Sequence, residues 1–453
     1  MIDRDHTWPV PVRRTLANGL RALTVPLPHL HTAHVLLFVR VGSRLESLDE
    51  SGLSHLLEHV LFRGCAAYPS TYALNTAFES CSTGLDAATS RDFTTFEASC
   101  APKNVPRVLE LIGAMMSAPT LTDVEVEKQV IEEELQDELD STGRDVDCDN
   151  LAKLALFPGP GLGAKIGGRL RKIEGYDEHD CKRWCAQHYT GLNMVCAVAG
   201  PVDAEATLDA IAGALGGLPP GEAQALAAPV MRSDLPALEY VRHAGSQTDL
   251  QLAWATVAET HPDWPALLFA QRVLDDGSSA RLRHRVVDQL GLAYHAGSEL
   301  EIYQGVSVLA VETQTRHSMV IRTLDALLEV IAAMGTDEVD AHEFERVRSR
   351  VAFELTSVRD APATAAYWFG LQELQQGADT PAERAVRLAR VTPAEVREAW
   401  ARHIVMGQAQ LTVVGDLSPL DRAALRRRLH RLRGAGRAPN GRESRAARTG
   451  GRH

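Results

Sequence analysis

The chain has 453 residues, of which 45% are hydrophobic and 23% are charged, and its formal net charge at pH 7 is −12. A chain of this length exceeds one hydrophobic core, so two or more domains are expected in what is an ordinary globular composition. The negative charge argues against a general affinity for nucleic acid or for anionic membranes, and no apolar run is long enough to span a bilayer.

The N-terminal residues lack the basic and then apolar layout of a signal peptide, so we expect a cytoplasmic protein. All seven cysteines lie between Cys65 and Cys196, and no Cys-x-x-Cys pair occurs. An odd number of cysteines without this spacing argues against a disulfide framework and against a thiolate zinc site. Any metal would therefore have to be bound by histidine and carboxylate side chains.

The first predicted elements are a hairpin and a buried strand. Residues 12–25 predict two strands joined by a turn at Asn18-Gly19. The mostly apolar residues 34–41 predict a buried strand, and a loop then leads to a helix over residues 54–62.

This helix contains His55-Leu56-Leu57-Glu58-His59, the inverted form of the zinc-protease helix motif. His55, Glu58 and His59 share one arc of a helix, and the leucines lie on the other arc. One face can therefore pack on a core while the other presents two imidazoles and a carboxylate. Asp49 or Ser51 can cap its start. A surface helix with two solvated histidines is the alternative, because so short a pattern also occurs by chance.

Three further elements follow. Residues 73–81 predict a helix, residues 87–98 predict a strand rich in threonine and phenylalanine, and residues 105–116 predict an amphipathic helix that ends before Pro119.

The next helix, predicted over residues 123–139, lies in the most acidic part of the chain. From residue 125 to residue 149, eleven acidic residues oppose two basic ones, and most of these acids should be solvated. Glu127 and Glu134 are two turns apart and share a face. Because Glu134 would lie in an apolar stripe, it needs a partner to offset its desolvation. A cation held by the histidine helix would serve, and Glu138 is a rival for this role.

The second half of the chain looks like a second copy of the first. Residues 186–189 and 195–200 align without gaps to residues 401–404 and 410–415, at a constant offset of 215. In a further alignment Leu268, Gln271 and Arg272 stand where the first copy has His55, Glu58 and His59. The second copy therefore has the helix without the metal-binding residues.

These observations divide the chain into four parts. An N-terminal domain (residues 1–215) with the metal site is joined by a linker (216–234), rich in glycine, proline and alanine, to a C-terminal domain (235–432) without metal residues. A basic tail (433–453) with six arginines is expected to be disordered.

Two imidazoles and one carboxylate are a usual ligand set for a catalytic zinc ion, with the fourth position left to water. A second carboxylate must then accept the proton of that water and pass it to the leaving amine. Glu58 is placed for this role because it shares a helical face with both histidines. Glu134 is the candidate third ligand, and Glu127 is the candidate group that orients a histidine.

The stretch from His55 to Gly64 resembles the signature of the M16 (pitrilysin or insulinase) metallopeptidase family. Residues 127–134 are similar to its ligand-helix segment, and the interval of 75 residues between His59 and Glu134 matches the family's spacing. Further matches lie at residues 188–200, 277–282 and 291–294, so the resemblance covers most of the chain.

The resemblance implies an α+β fold of two homologous domains, each an antiparallel sheet with helices packed on one face. It also implies the half-size type similar to the mitochondrial processing peptidase, in which two chains enclose a chamber for peptides or unfolded segments. Substrate would bind as an added strand beside residues 85–89, in contact with Asp86 and Ala87. The family usually has asparagine where Asp86 stands.

Members of this family that complete their own site carry an arginine and a tyrosine seven residues apart, both in contact with substrate. Tyr294 matches the tyrosine, but Val287 occupies the arginine position, and Arg285 would project elsewhere on a helix. We therefore expect a paralogous subunit to supply the Arg/Tyr pair in a heterodimer. A homodimer in which Arg285 substitutes is the alternative.

The sequence thus favours a zinc metalloendopeptidase with one zinc ion per chain, bound by His55, His59 and Glu134, and with Glu58 as general base. A non-catalytic scaffold subunit is the alternative, against which the intact ligand set argues. A calcium site in residues 137–149 lacks the EF-hand order of ligands. Leader-peptide processing and turnover of short peptides are equally compatible with the sequence.

Overall fold

The computed structural model describes residues 8–375 and 379–435. This part of the chain forms two halves, built on a six-stranded and a five-stranded sheet. The strands of the first half are β1 (Val12–Thr15), β2 (Arg21–Pro26), β3 (Ala33–Val39), β4 (Asp86–Thr89), β5 (Thr94–Cys100) and β6 (Met194–Gly200). Those of the second half are β7 (Ala237–Val241), β8 (Thr248–Thr256), β9 (Ala293–Tyr303), β10 (Val306–Thr315) and β11 (Gln410–Val414).

Helices connect the strands in both halves. The first half contains α1 (Leu53–Leu61), α2 (Thr71–Glu79), α3 (Val105–Ser117), α4 (Val124–Leu135), α5 (Cys148–Leu156), α6 (Leu170–Ile173), α7 (Glu178–His188) and α8 (Ala204–Leu215). The second contains α9 (Trp264–Leu274), α10 (Arg281–Arg283), α11 (Val320–Thr336), α12 (Ala341–Ser357), α13 (Pro362–Gln375), α14 (Pro381–Ala389), α15 (Pro393–His403) and α16 (Pro419–Ala435).

The two sheets repeat one topology. Their strand orders are β1-β2-β6-β3-β5-β4 and β7-β11-β8-β10-β9. Each sheet is antiparallel except at one pair, β2 with β6 and β7 with β11, where the last strand of the half inserts beside its first long strand. The predicted α+β fold of two homologous domains is confirmed, and the sheets are mixed where purely antiparallel ones were expected.

The main core of the first half lies between one sheet face and helices that include α1, α3, α7 and α8. Alternate residues of β3, such as Val35 and Leu37, pack there with Leu57 of α1 and Ile112 of α3. Full burial of a side chain of this size stabilises the fold by about 1.5–3 kcal/mol. This packing fixes α1, and with it the histidine motif, against the sheet.

The opposite face of each sheet is covered by a helix from the other half. Phe369 of α13 lies in one cluster with Phe38 of the first sheet, and Leu156 of α5 lies in one cluster with Ala253 of the second. The exchange is required because the strands are apolar on both faces, as in β3, where every residue is buried. Helices therefore cover both faces of each sheet, one layer more than expected from the sequence.

The segment between the halves runs along the first half. Residues 221–232 have no regular secondary structure, and Arg44 donates a hydrogen bond of 2.7 Å to the carbonyl of Ala227. Helix α16 continues to Ala435, three residues into the predicted disordered tail, and the remainder of that tail lies outside the described residues. Among the helices of the described ranges, none combines the length and the apolar character needed to cross a membrane.

Candidate metal centre

Helix α1 begins at a buried carboxylate. Its N-cap is Gly52, and Oε1 and Oε2 of Glu46 accept hydrogen bonds from the amides of Ser54 and Gly52 at 2.8 and 2.7 Å. Burial raises the pKa of Glu46 to about 7, although these bonds favour its charged form. The sequence-based caps were wrong, because the N-cap residue is Gly52, the amides are bound by Glu46, and Asp49 instead pairs with Lys172.

The two histidines of α1 face each other across one helical turn. Nε2 of His55 lies 3.2 Å from Nε2 of His59. Burial, and then the neighbouring His59, lower the pKa of His55 to about 4. The imidazole of His55 is therefore neutral at pH 7, as a metal ligand must be. Its Nδ1 is buried and has no hydrogen-bond partner among the described residues.

Helix α4 packs on α1 and brings two carboxylates to the histidines. Oε2 of Glu134 lies 3.8 Å from Nε2 of His55 and 3.6 Å from Nε2 of His59. Two helical turns earlier on α4, Oε2 of Glu127 lies 3.1 Å from Nδ1 of His59. The rival carboxylate, Glu138, lies beyond the end of α4 and pairs with Lys165 at 2.8 Å.

The exposure of the two α4 carboxylates differs from the expectation. The side chain of Glu134 is 48% exposed, so the prediction that it lies inside an apolar stripe was wrong. Glu127 is the buried one, because Arg63 Nε approaches its Oε1 at 2.5 Å and compensates its charge. Burial would raise the pKa of Glu127, but His59 and Arg63 lower it overall.

His59 has the opposite balance to His55. Burial alone would lower its pKa, but the hydrogen bond to Glu127 and the charges of Glu134 and Glu58 raise it overall. The carboxylate on Nδ1 directs the ring so that Nε2 points towards His55 and Glu134. This arrangement leaves three donor atoms of different side chains directed at one point.

The three donor atoms fit a tetrahedral zinc ion. Ligand bonds of about 2.0–2.1 Å place two tetrahedral ligand atoms about 3.3 Å apart. The separations of 3.2, 3.6 and 3.8 Å lie close to this value, and the three ligand atoms form one of two such groups in the described ranges. In the other group, His261, Asp263 and His403, the guanidinium of Arg402 already pairs with Asp263 and disfavours a cation.

Glu58 lies on the same helix and is not one of the three converging ligands. Glu58 is 8% exposed, and its Oε2 accepts a hydrogen bond of 2.5 Å from Oγ1 of Thr89. Burial raises its pKa, while the hydrogen bond from Thr89 and the charge of His59 act in the opposite direction. A buried carboxylate with a raised pKa, next to a metal position, can both accept and release a proton.

The predicted substrate strand is β4, the outermost strand of the first sheet. Asp86 and Ala87 pair with Glu97 and Phe96 of β5 on one side. Because β4 is an edge strand, its other side offers backbone groups for an added strand. The structure therefore places both predicted residues at a free edge that contacts α1.

The second predicted substrate region lies in the other half. Tyr294 is on β9, the outermost strand of the second sheet, and is 94% exposed. Val287 lies in a single π-helical turn, residues 284–289. Arg285 pairs with Glu329, and its Nη2 lies 3.0 and 3.1 Å from the two carboxylate oxygens of Glu329. The structure thus brings neither Tyr294 nor Arg285 into a described contact with the metal-binding side chains.

The second copy of the helix is chemically different, as the repeat predicts. In α9, Arg272 donates two hydrogen bonds to Glu354, at 3.1 and 2.8 Å. Gln271 donates from Nε2 to the carbonyl of Ser298 on β9 at 2.9 Å. The acidic segment after α4 does not gather a calcium site either, since Asp140 bonds Thr142 and Asp145 pairs with Lys165.

Sequence reasoning missed three residues around this centre, namely Glu46, Arg63 and Thr89. Arg63 follows the histidine motif by four residues, so its position one turn below His59 was available as a signal. Thr89 ends the edge strand that the sequence placed next to the site. Glu46 gave no signal, because it caps the helix from six residues upstream in an irregular loop.

Family models match most of the chain. Residues 21–156 match the model described as insulinase, peptidase family M16. Residues 178–351 match the model described as the peptidase M16 inactive domain. The first match contains the histidine motif, and the second begins at α7 of the first half and contains the altered copy of the helix.

Curated relatives resemble the chain over nearly its whole length. It is 26% identical over 427 residues to an uncharacterized zinc protease of Streptomyces coelicolor, which covers 92% of both chains. It is 27% identical over 430 residues to a probable mitochondrial-processing peptidase subunit beta of Schizosaccharomyces pombe, which covers 90% of this chain and 91% of the relative.

The fold also matches solved structures. A protease from Helicobacter pylori superposes with a TM-score of 0.82 at 19% identity, over 90% of this chain and 99% of that one. A Pseudomonas fluorescens protein described as a peptidase M16 inactive domain gives the same TM-score and identity, over 90% and 98%.

Proposed function

The chain belongs to the M16 family of peptidases, and on that premise we propose that it is a zinc-dependent metalloendopeptidase acting on peptides or unfolded segments. The observation that carries the proposal is the convergence of His55, His59 and Glu134. Glu58 stands beside them as a buried carboxylate that is not a ligand. The names of the relatives, zinc protease and processing peptidase, support the same chemistry.

The three ligands, Glu58 and Glu127 have separate roles in peptide hydrolysis. A zinc ion held by the three side chains would polarise the scissile carbonyl and lower the pKa of a water molecule. Glu58 takes the proton of the attacking water on a carboxylate oxygen and delivers it to the leaving amine nitrogen. Glu127 keeps His59 in the tautomer that leaves Nε2 free, and the free edge of β4 holds the substrate backbone.

Metal analysis combined with peptide cleavage tests this function. The purified chain is expected to bind about one zinc ion, and His59→Ala is expected to abolish binding. His179→Ala serves as the control, because His179 is an exposed histidine on α7. Glu58→Gln is expected to retain zinc and to lose cleavage, since the amide cannot accept the proton.

Two results would contradict the proposal. Full cleavage by Glu58→Gln would show that the mechanism is wrong. A zinc-loaded wild-type chain that cleaves no peptide, alone or with a second subunit, would support the alternative of a non-catalytic scaffold subunit.

For assembly, we propose that a paralogous subunit completes the substrate site. Val287 stands at the position of the expected arginine, and Arg285 is engaged by Glu329. Tyr294 is almost fully exposed, so its side chain is accessible to another chain. The homodimer with Arg285 as the substitute is the alternative, and it requires Arg285 to leave Glu329.

Activity measurements on separate and mixed subunits test the assembly. We expect the chain alone to cleave slowly and a paralogous half-size chain with the Arg/Tyr pair to accelerate cleavage. A rate for the chain alone that no partner changes, and that Arg285→Ala abolishes, would favour the homodimer. The cytoplasmic location remains a prediction from the sequence.

A further inference from the structure

The candidate general base is held by the edge strand beside it. Oγ1 of Thr89 donates to Oε2 of Glu58 at 2.5 Å, within the range of a strong hydrogen bond to a carboxylate. Among the described residues, no other side chain makes a hydrogen bond of this kind to Glu58. The backbone amide of Thr89 also interacts with this carboxylate, so the edge strand holds Glu58 through both its side chain and its main chain.

The donor itself is fixed in place. Thr89 is the last residue of β4 and is the cross-strand partner of Thr94 on β5. The hydroxyl of Thr94 lies 3.4 Å from that of Thr89 and donates to the carbonyl of Val41 at 2.8 Å. Thr94 is fully buried. A donor anchored at a strand end in this way holds a carboxylate more firmly than a solvated side chain does.

The second copy also has a hydrogen bond between this helix position and its edge strand, with the donor on the helix instead of the strand. Gln271 occupies the position of Glu58, and its Nε2 donates to the carbonyl of Ser298 on β9. β9 is the edge strand of its sheet, as β4 is of the first. A hydrogen bond between this helix position and the edge strand therefore occurs in both halves. Only in the first half does the helix side chain carry a carboxylate.

We propose that Thr89 is a positioning residue for the general base, and that it couples the substrate-binding strand to Glu58. This inference rests on the proposed function of Glu58. The hydroxyl of Thr89 fixes Oε2 so that the carboxylate keeps one orientation towards the reacting water. Thr89 also ends the strand on which the substrate backbone would pair. Ordering of β4 and the reactive orientation of Glu58 are therefore coupled.

Three matched variants test the proposal in the zinc-loaded full-length chain. Thr89→Val keeps the shape of the side chain and removes its hydroxyl, so kcat for an unfolded peptide should fall by about 10- to 100-fold, the scale of a misplaced catalytic group. KM and zinc content should stay at the wild-type values. Thr89→Ser restores the hydroxyl and should recover most of kcat.

Thr95→Val is the control, because Thr95 lies on the paired strand and its hydroxyl, within the described part of the chain, donates only to the carbonyl of Ala88, at 3.4 Å. A second readout does not depend on activity. In a crystal structure of Thr89→Val, the carboxylate of Glu58 should leave its wild-type rotamer.

The outcomes separate this inference from the proposed function. A wild-type chain that cleaves, with Thr89→Val equal to Thr95→Val in kcat, overturns the role of Thr89 alone. An unchanged Glu58 rotamer in the Thr89→Val crystal overturns it as well. A fall in kcat that Thr89→Ser does not recover also overturns it, since a structural defect is then the cause. Loss of cleavage in every chain, wild type included, refutes the proposed function, and the rotamer then still decides the role of Thr89.

Discussion

Oε2 of Glu127 lies 3.1 Å from Nδ1 of His59, while the other ring nitrogen of His59 faces His55 at 3.2 Å. A carboxylate can only accept a hydrogen bond, so the proton of the neutral ring is on Nδ1 and the lone pair is on Nε2. Arg63 holds the same carboxylate from its other side, at 2.5 Å. Ligand orientation in the candidate centre thus depends on a residue that is not a ligand.

Glu127→Gln should weaken zinc binding by about 10- to 100-fold, because the neutral amide orients the imidazole less strongly and loses the pairing with Arg63. Competition with a chromophoric chelator measures the affinity directly. Glu133→Gln is the matched control, since Glu133 is an exposed residue on the same helix. Equal affinities of the two variants would contradict the role of Glu127.

The buried cap of α1 predicts a pH dependence of stability. The native pKa of Glu46 is raised to about 7 from an ordinary value of 4.5. Between these values the native state keeps a proton that the unfolded chain has released. The free energy of unfolding should therefore fall as the pH rises through this window, by an amount on the order of 3 kcal/mol from this group.

The measurement compares wild type with Glu46→Gln. Urea unfolding of the metal-free protein at about pH 5 and about pH 7.5 should show that the wild type loses stability relative to this variant as the pH rises. Glu79→Gln is the control, because Glu79 is exposed at the end of α2, and it should keep the wild-type slope. A Glu46→Gln variant with the wild-type slope would show that another group is responsible.

A buried ion pair joins the two halves near the edge strand. Arg44 donates to Asp92 at 2.8 Å and to the carbonyl of Gln304 at 3.0 Å, and Asp92 accepts from the amide of Gln304 at 2.7 Å. Asp92→Ala leaves the buried guanidinium without a negatively charged partner and should cost about 3–5 kcal/mol. Arg44→Ala/Asp92→Ala should lose less than the sum of the single variants, since neither partner is then left alone. Additive losses in urea unfolding would show that the pair does not couple.

The exchanged helix α13 should contribute to the stability of the first half. Phe369→Ala removes a buried ring from the cluster with Phe38, and we expect a loss of about 3–5 kcal/mol in urea unfolding. Phe353→Ala is the control, because that ring is 73% exposed on α12, and its effect should stay within about 0.5 kcal/mol. A similar effect of both variants would mean that α13 does not stabilise the sheet.

The sequence predicted the candidate site to the extent that the site follows helical spacing. His55, Glu58 and His59 share one arc of α1 as their intervals require. Glu127 and Glu134 share one face of α4 for the same reason, and both reach the histidines. The difference in burial between the two carboxylates was not predicted, because it depends on Arg63, which follows the end of α1 and approaches only Glu127.

The fold was predictable where the chain repeats itself and not where distant parts meet. The repeat of α7 and β6 in α15 and β11 follows from the constant offset. The exchange of α5 and α13 has no local signal, because Phe369 looks like any apolar residue of an amphipathic helix. Its partner Phe38 is more than three hundred residues away, and only the apolar character of both faces of β3 indicated that a second layer was needed.

The crossing of α5 and α13 makes each half depend on the other for the cover of its sheet. Without the helix of the other half, one face of each sheet would expose its apolar side chains to water. Neither half is therefore complete by itself. Fragments made by cutting the connection near residue 225 should accordingly stay unfolded or aggregate when they are separate, and they should reassemble on mixing. Two fragments that each fold alone would contradict this mutual dependence.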